Sequence, residues 1–484
     1  MMRILWIDDE IEELGSIITF LKSQGVEVDT AKSAVEGVDK LSRNVYNLVL
    51  LDYRMPGVNG LEALKLIKRS YPNLPVVMLT MITDEEVIKR SFVEDAYDYI
   101  VKPVQPAQIL ALISRLKKTS LKRDVFLEEA EKLREELREI PETFEGWLLK
   151  AVKIFQSRVK YKAYRSKFDE ILEEENSKFA EWIARFYPEI IRDSTLVMSH
   201  NLLRKMVLPY LEVAPVVLFV LDNFRFDQIY EIVSEISTLH KVEQFVYMSI
   251  LPSITQFSRN ALFSGKLPDE MERMMEGVLQ DNQNELKMLW NLLNEEKYKV
   301  RTWYTKIKSL GSLSEIEPVG RRFEIYVVNF VDTILHISSS LEQLKVLGEG
   351  ESSVKRWGKL VLEDGRFARV IEKFLDKGYW VFITSDHGWV IGKEAIRVYG
   401  EELAKGFRFK HGRGVRVEGR KVLTIERARE WGFPDWGQFL FATEDGFFVW
   451  GEKMDEYAET HKNRMFHGGI SLEEMILSLV RIRP

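Results

Sequence analysis

Short apolar runs and amphipathic stretches alternate along the first part of the chain. Continuous apolar runs occur at Ile4–Ile7, Leu48–Leu51 and Val76–Leu79, a pattern typical of strands covered on both faces of a sheet. Amphipathic stretches such as Gly60–Lys68 and Glu85–Phe92 alternate with these runs. Strands that alternate with helices predict βαβ units and a parallel sheet.

The pattern changes in the middle of the chain and returns after it. Between Leu121 and Tyr187 there is one proline and one glycine, and apolar positions recur at helical spacing among many Glu, Lys and Arg residues. Strand-like runs return at Val216–Leu221, Glu324–Val331 and Tyr379–Thr384, with helical patterns between them. We therefore predict an α/β domain at 1–117, a helical linker domain at 118–210 and a second α/β domain at 211–484.

Polar side chains follow the predicted strands of the first domain. Asp8 and Asp9 follow the first strand, Asp52 the third and Thr80 the fourth, and Lys102 follows a further apolar run. The carboxyl ends of parallel strands converge on one crevice of an open sheet, so these groups are expected to meet there. Three carboxylates would repel one another without a hard cation, and Mg²⁺ prefers such oxygen ligands. A lysine and a hydroxyl would pair with an incoming phosphoryl group.

The first domain resembles the receiver domain of two-component response regulators over residues 1–117. The matching motifs are Asp8-Asp9, the turn Asp52-Tyr53-Arg54-Met55-Pro56-Gly57 with Gly60, Leu79-Thr80, and Tyr99-Ile100-Val101-Lys102-Pro103. One such polar residue is more often a loop-end residue that caps a helix, but five at these positions favour a receiver.

That resemblance implies a flavodoxin-like, five-stranded parallel sheet. It implies that Asp52 accepts a phosphoryl group from a sensor histidine kinase and that Asp8, Asp9 and Asp52 bind magnesium. Thr80 would contact the phosphoryl oxygens, Lys102 would pair with them, and Tyr99 would report the state by its rotamer. Phosphorylation would bias the face formed by the fourth helix, fifth strand and fifth helix of the receiver toward dimerisation.

A second set of acids and histidines lies at predicted strand ends in the C-terminal part. Asp222 directly follows the run Val216–Leu221, and Asp386 with His387 follows the last of the three runs. Asp332 follows the middle run, and His336 lies four residues later, so on a helical turn the two share one face and can hold one ion.

The last candidate histidine, His467, precedes Gly468-Gly469 and a helix that opens with a capping-box pattern at Ser471. The chain has no cysteine, which excludes disulfides, thiol nucleophiles and thiolate metal sites. Any metal must therefore bind to carboxylates and imidazoles.

Thr255 is the candidate nucleophile. It stands in Leu251-Pro252-Ser253-Ile254-Thr255-Gln256-Phe257-Ser258-Arg259-Asn260, where proline and serine precede a helix-like run. A position near a helix N-terminus favours an alkoxide through the helix dipole. A free threonine is a poor nucleophile, and metal coordination would activate it.

These residues resemble the alkaline phosphatase superfamily, and the closest likeness is to its PglZ branch. The stretches Asp222-Asn223-Phe224-Arg225-Phe226-Asp227-Gln228 and Thr255-Gln256-Phe257-Ser258-Arg259-Asn260 look PglZ-like. The resemblance implies an alkaline-phosphatase-like α/β domain with two metals, usually zinc. One metal would be held by Asp222, Thr255, Asp386 and His387, and the other by Asp332, His336 and His467. A degraded, metal-free remnant is the alternative.

Two basic stretches admit two interpretations each. Lys150–Lys167 carries seven Lys or Arg residues and no acid, and a solvated helix face is favoured over a nucleic-acid surface. In the stretch 405–416, basic and aromatic residues alternate as in a β-hairpin. The first interpretation is a hairpin whose basic face is exposed to solvent. Alternatively, Arg408, Lys410 and Arg413 would clamp a polyanionic substrate, with bases stacked on Phe407 or Phe409.

A receiver, a helical segment and a PglZ domain together resemble the PorX-type response regulators, over essentially the whole chain. That family is associated with type IX secretion and with phosphodiesterase activity on oligonucleotides. The resemblance implies a two-component regulator, dimeric on phosphorylation, whose output is a two-metal phosphodiesterase with Thr255 as nucleophile. The alternative is a signalling adaptor that binds a sigma factor or secretion component, with hydrolysis incidental.

A DNA-binding transcription regulator is disfavoured, because no helix-turn-helix candidate follows the receiver. Acidic residues follow the first few apolar residues of the chain, which is not the pattern of a signal peptide. The longest apolar run, Val213 to Leu221, is too short for a membrane span. The formal net charge of −6 shows a nearly balanced chain that resembles neither a histone-like binder nor an acidic tail. A cytoplasmic protein is therefore expected.

Overall fold

The computed structural model describes residues 2–72, 74–81, 94–236, 240–329, 365–400, 406–451 and 453–484. The chain divides into two compact units, Met1–Val125 and Phe126–Pro484. The predicted helix at Glu85–Phe92 lies outside the described residues. In the part of the chain that is described, no helix combines the length and the apolar character that crossing a lipid bilayer requires.

The first unit contains a five-stranded parallel sheet. Its strands are β1 (Met2–Ile7), β2 (Val26–Ala31), β3 (Leu48–Asp52), β4 (Val76–Thr80) and β5 (Asp98–Val101), in the order β2-β1-β3-β4-β5. The described helices are α1 (Gly15–Ser23), α2 (Ala34–Arg43), α3 (Gly60–Ser70) and α4 (Pro106–Glu139), the last of which continues past Val125. This strand order is the flavodoxin-like one, and it confirms the predicted fold.

Adjacent residues of the central strand β3 pack on opposite faces of this sheet. Leu48 belongs to one apolar cluster with Ile109 of α4, whereas Val49 belongs to another with Leu64 of α3. Alternate residues of a strand point to opposite faces, so a strand covered on both sides must be apolar throughout. The continuous apolar runs in the sequence have this cause.

The second unit is built on a six-stranded mixed sheet. Its strands are β6 (Val216–Leu221), β7 (Val242–Met248), β8 (Thr302–Ile307), β9 (Phe323–Val328), β10 (Trp380–Ser385) and β19 (Ile476–Ile482), in the order β7-β19-β10-β6-β9-β8. Strands β6, β8, β9 and β10 run parallel, and β19 is antiparallel to β10 and β7. The prediction for β6 is confirmed to the residue, and the predicted strand ending at Val331 ends at Val328.

Three small sheets accompany the large one in the described part of the chain. Their strands are β11 (Val390–Ile391), β12 (Glu394–Tyr399), β13 (Phe409–Gly412), β14 (Arg416–Glu418), β15 (Val422–Ile425), β16 (Gln438–Ala442), β17 (Gly446–Val449) and β18 (Met465–Phe466). The strand orders of the three sheets are β11-β18, β14-β12-β17 and β13-β16-β15.

The predicted hairpin at 405–416 is wrong. Strand β13 pairs with β16, and β14 pairs with β12 in a different sheet. Alternation along a strand predicts that it has two different faces, but it does not identify the neighbouring strand.

The helices of the second unit follow α4 in chain order. They are α5 (Phe144–Lys160), α6 (Arg165–Ile190), α7 (Ser199–Leu202), α8 (Phe226–Ile236), α9 (Thr255–Ser264), α10 (Pro268–Met274), α11 (Glu285–Glu295), α12 (Leu310–Ser314), α13 (Arg366–Leu375), α14 (Met454–His461) and α15 (Leu472–Met475). The predicted cap at Ser471 is present, since its side chain accepts a hydrogen bond from Glu474 N, but the helix it opens is a single turn that leads into β19.

The predicted helical segment is confirmed as helical, and it packs directly on the large sheet. Trp147 of α5 and Phe179 of α6 belong to the same buried cluster as Leu218 of β6 and Tyr247 of β7. The helical segment therefore shares a core with the α/β part, and the predicted boundary near residue 210 stays a prediction.

Candidate functional site

The carboxylates predicted for the first domain converge at the carboxyl ends of β1 and β3. Oxygen atoms of Asp8, Asp9 and Asp52 all lie within 4.8 Å of one another. Lys102 Nζ lies 2.8 Å from Asp8 Oδ2 and 3.0 Å from Asp52 Oδ2. Three carboxylates with a lysine beside them fit a hard divalent cation and a phosphoryl group.

Burial and charge act against each other in this cluster. Burial raises the pKa of Asp52, although the hydrogen bond and positive charge of Lys102 lower it in part. Burial lowers the pKa of Lys102, but the hydrogen bonds and the negative charges of Asp8 and Asp52 together more than offset this, and the net pKa is raised. Lys102 therefore stays charged at neutral pH and can neutralise added negative charge at Asp52.

The other two predicted switch residues lie on neighbouring strands. Thr80 is the last residue of β4 and is buried, and its carbonyl accepts a hydrogen bond from Lys102 N at 2.8 Å. Tyr99 lies on β5 and is 37% exposed. The sheet thus brings Asp52, Thr80 and Lys102 to one edge, while Tyr99 lies at the surface.

The second set of predicted residues meets at the carboxyl edge of the large sheet. Asp222 and Asp386 each follow the end of one of two paired parallel strands, since Leu221 of β6 pairs with Ser385 of β10. Thr255 is the first residue of α9, and its side chain is buried. Three segments far apart in sequence therefore contribute to one pocket.

The polar atoms of this pocket lie within contact distance. Thr255 Oγ1 lies 3.0 Å from His387 Nε2 and donates toward Asp222 Oδ1 at 3.4 Å. Asp222, Asp386 and His387 each offer a ligand atom within 4.8 Å of the others, and all three side chains are buried. An imidazole nitrogen and carboxylate oxygens are the donor set that Zn²⁺ accepts when thiolates are absent.

The tautomer of His387 follows from its second nitrogen. Nδ1 lies 3.2 Å from the carbonyl oxygen of Gly388, which can only accept a hydrogen bond, so Nδ1 carries the proton. Nε2 then presents a lone pair toward Thr255 and Asp222. Metal-binding histidines commonly have this arrangement, because the outer hydrogen bond fixes the ring. The described residues therefore fit a divalent cation.

The predicted second metal set is described only in part. The His467 ring stacks on the His387 ring with centroids 4.5 Å apart and an interplanar angle of 19°. Asp332 and His336 lie outside the described residues. The pairing of His467 with these two residues stays a prediction.

Arg259 also lies at this site, and the sequence predicted no role for it. Its guanidinium is fully buried, with Nη1 2.8 Å from Asp222 Oδ2 and 3.4 Å from Asp386 Oδ2. Burial lowers the pKa of Arg259, but the charges of Asp222, Asp386 and Glu285 outweigh it and raise the pKa well above the ordinary value. Arg259 lies four residues after Thr255, and that spacing places both on one helix face.

The predicted substrate clamp is corrected for two of its three residues. Arg408 is fully buried and pairs with Glu474 through contacts of 2.9 and 2.7 Å. Lys410 is also buried, with Nζ 3.2 Å from the centre of the Trp450 ring. Arg413 alone is exposed. Basic residues are normally exposed, so the burial of the first two was not visible without their partners.

The basic stretch Lys150–Lys167 is neither a uniformly solvated face nor an open basic surface. Lys150 and Arg158 are buried, and Lys150 pairs with Glu175 at 2.9 Å. Arg158 pairs with Asp169 at 2.7 Å and lies 3.5 Å from Asp227, in the segment that follows Asp222. Two of the seven basic residues of this stretch are therefore buried inside the fold.

Comparison with known proteins identifies both parts of the chain. The family model of the response regulator receiver domain matches residues 4–114, and that of the BREX system PglZ alkaline phosphatase-like domain matches residues 202–482. The regulatory protein VanRB of Enterococcus faecalis is 33% identical over 119 residues, which are 25% of this chain and 54% of that protein.

A CpxR homolog of Haemophilus influenzae, named as a transcriptional regulatory protein, is 37% identical over 121 residues, 25% of this chain and 52% of that protein. The chain thus spans about half the length of each of these two relatives. A solved receiver domain protein from Methanospirillum hungatei is 32% identical and covers 25% of this chain and 98% of its own, with a TM-score of 0.24.

The two family-model matches and the two sites define a class of protein, a response regulator receiver fused to an alkaline phosphatase-like domain. Because the second family model covers more than half of the chain, the chain belongs to the PglZ alkaline phosphatase-like family. The fusion is consistent with the PorX-type architecture suggested by the motifs. Receivers as a class are phosphorylated by sensor histidine kinases, and alkaline phosphatase-like domains are typical of phosphoesterase-type hydrolases.

Proposed function

We propose that this protein is a two-component response regulator whose receiver controls a zinc-dependent phosphodiesterase. The observation that carries the catalytic half is the position of Thr255 Oγ1, 3.0 Å from His387 Nε2 and 3.4 Å from Asp222 Oδ1 at the start of α9. A hydroxyl held between an imidazole and a carboxylate in a buried pocket is the arrangement that an activated nucleophile needs.

Thr255, Asp222, Asp386 and His387 would hold one zinc ion, which supplies Lewis acidity and lowers the pKa of the threonine hydroxyl. Thr255 Oγ1 gives its proton to solvent water and attacks the phosphorus of a diester in line. The new Oγ1–P bond forms as the bond from phosphorus to one ester oxygen breaks, and the released alcohol takes up a proton from water. A water molecule then attacks the phosphothreonine, the Oγ1–P bond breaks, the phosphate monoester leaves and the threonine hydroxyl is regenerated.

The receiver half of the proposal rests on the cluster at β1 and β3. Asp52 is the phosphoacceptor for a sensor histidine kinase, Mg²⁺ binds to Asp8, Asp9 and Asp52, and Lys102 neutralises the added phosphoryl charge. Phosphorylation promotes a homodimer. The phosphodiester substrate is proposed to be an oligonucleotide, and Arg413 is the remaining candidate for a contact with its backbone.

The catalytic half is tested by hydrolysis of bis(p-nitrophenyl) phosphate and p-nitrophenyl phosphate with added Zn²⁺. We expect faster turnover of the diester and a loss of at least 1,000-fold in Thr255→Ala, on the order of the effect of removing a nucleophile. Ser264→Ala, at the opposite end of α9, should retain activity. Undiminished turnover in Thr255→Ala would eliminate the nucleophile assignment.

The regulatory half is tested with beryllofluoride and Mg²⁺. Light scattering should show a shift from monomer to dimer and the diesterase rate should change, and neither should occur in Asp52→Asn. A response to beryllofluoride that persists in Asp52→Asn would contradict the phosphoacceptor assignment, whatever the outcome for Thr255.

A further inference from the structure

Arg259 and Glu285 form a buried ion pair next to the candidate zinc ligands Asp222 and Asp386. Arg259 Nε donates to Glu285 Oε1 at 2.6 Å, and both side chains are almost completely inaccessible to solvent. Glu285, the first residue of α11, is held in turn by Lys306 Nζ at 2.7 Å and by the hydroxyl of Tyr304, both on β8. The guanidinium therefore has a fixed position before any ligand is considered.

The same guanidinium contacts two carboxylates that stand on different strands. Nη1 lies 2.8 Å from Asp222 Oδ2 and 3.4 Å from Asp386 Oδ2. The other oxygen of Asp222, Oδ1, is the one that faces Thr255. The other oxygen of Asp386, Oδ1, accepts backbone N–H groups from Asn223 and His387 at 3.2 and 3.0 Å.

We propose that Arg259 is a positioning residue that, anchored by Glu285, orients the carboxylates of Asp222 and Asp386 for cation binding. The inference rests on the proposed function, because it assumes that these two residues are metal ligands. Arg259 shares helix α9 with Thr255, so the pair also fixes the nucleophile relative to both carboxylates. The planar guanidinium suits this task, because its donors have a fixed geometry.

Positioning and simple electrostatics predict opposite effects when Arg259 is removed. A cation 2.8 Å from a ligand carboxylate repels a bound metal ion, so on charge alone Arg259→Met should bind Zn²⁺ more tightly. If Arg259 instead orients the ligands, its loss should weaken binding, and loss of an outer-shell partner typically costs roughly 10- to 100-fold in affinity. The sign of the change therefore separates the two roles.

The experiment measures Zn²⁺ affinity in the full chain by competition with a chelating indicator, with Asp386→Asn used to subtract binding elsewhere. We expect Arg259→Met to bind Zn²⁺ at least 10-fold more weakly than the wild type. Arg259→Lys keeps the positive charge but loses the planar arrangement of N–H donors, so its Zn²⁺ affinity should be intermediate. Lys266→Met is the matched control, since it removes the same charge from a residue that pairs with Glu295 at 2.8 Å instead of with Glu285, and it should change affinity less than 3-fold.

Unchanged or tighter binding in Arg259→Met overturns the positioning role while leaving the proposed phosphodiesterase intact. If the wild-type protein shows no Zn²⁺ binding that Asp386→Asn abolishes, both the positioning role and the proposed zinc-dependent activity are overturned. Circular dichroism of each variant establishes that it is folded. If Arg259→Met does not fold, Arg259→Lys decides the question, since affinity equal to that of the wild type then refutes the proposal.

Discussion

The buried pair of Arg408 and Glu474 allows a test of whether Arg408, in the basic stretch at 405–416, stabilises the fold or contacts the substrate. Replacement of Arg408 by Met keeps a similar volume but leaves the carboxylate of Glu474 without its guanidinium. Both side chains are fully inaccessible to solvent, and two hydrogen bonds of 2.9 and 2.7 Å join them. Breaking a buried pair by removing one partner typically costs about 3–5 kcal/mol.

The local structure favours the lower end of that range. Glu474 keeps two donors, Gly469 N at 2.9 Å and Ser471 Oγ at 2.8 Å. The carbonyl of Ala442, to which Arg408 also donates, still accepts from Ile470 N. We therefore expect Arg408→Met to lower the free energy of unfolding by about 3 kcal/mol.

The assay is urea unfolding of the full chain followed by tryptophan fluorescence, together with steady-state diesterase kinetics. Arg413→Met, an exposed neighbour, is the control and should change stability by less than about 0.5 kcal/mol. The KM of folded Arg408→Met should equal that of the wild type. A loss below 1 kcal/mol combined with a several-fold rise in KM would refute this reasoning and restore Arg408 as a substrate contact.

Three further predictions concern burial and close packing. Burial, with the charges of Arg204 and Lys205, lowers the pKa of His200 from 6.5 to about 4, so the unfolded chain gains a proton first as the pH falls. Stability should drop by about 3 kcal/mol between pH 6.5 and 4 relative to His200→Gln, measured by urea titration at each pH; parallel pH profiles would contradict this. Burial likewise lowers the pKa of Lys410 from 10.5 to about 7. Lys410→Met should therefore stabilise the fold by about 3 kcal/mol at pH 7, after allowance for the cation–π contact, and the gain should shrink toward pH 10; a gain independent of pH would refute it. A Cβ on Gly388 would lie 1.9 Å from the Glu473 carbonyl oxygen, whereas one on Gly15 would meet nothing within 4 Å. Gly388→Ala should therefore lower the free energy of unfolding by several kcal/mol and weaken Zn²⁺ binding. Gly15→Ala should leave the free energy of unfolding unchanged or raise it by up to about 1 kcal/mol. Equal shifts of the thermal unfolding midpoint in the two variants would be inconsistent with this packing.

Strand-end chemistry was predictable from the sequence because it depends on local pattern and sheet direction alone. The run Val216–Leu221 predicted β6, and the rule that parallel strands end at one edge brought Asp222 together with Asp386. Thr255 was predicted at a helix start from the residues around it, and the structure begins α9 there.

Features that depend on distant partners were not predictable. The burial of Arg408 requires Glu474, which lies 66 residues away, and β13 pairs with β16 in a register that joins Phe409 to Phe441, also far apart in sequence. Arg259 had a usable signal, since it lies four residues after Thr255 in a helix-like run. The sequence carries no signal for Glu285, the other partner of Arg259, because no feature of α11 indicates that it packs next to the candidate metal ligands.

Three hydrogen bonds between the helical segment and the α/β part determine which piece of this chain can be moved as a unit. Tyr187 of α6 accepts from Leu251 N at 2.7 Å, four residues before Thr255. Asn176, also on α6, accepts from Leu472 N at 2.8 Å and donates to Glu473 Oε2 at 2.8 Å.

A fragment cut at residue 202, where the family model begins, would leave those backbone donors and the apolar face of the sheet exposed. The smallest portable hydrolase module therefore includes α5 and α6. In gene fusions or engineered sensors, the helices that sequence inspection assigns to a linker must stay with the candidate catalytic residues.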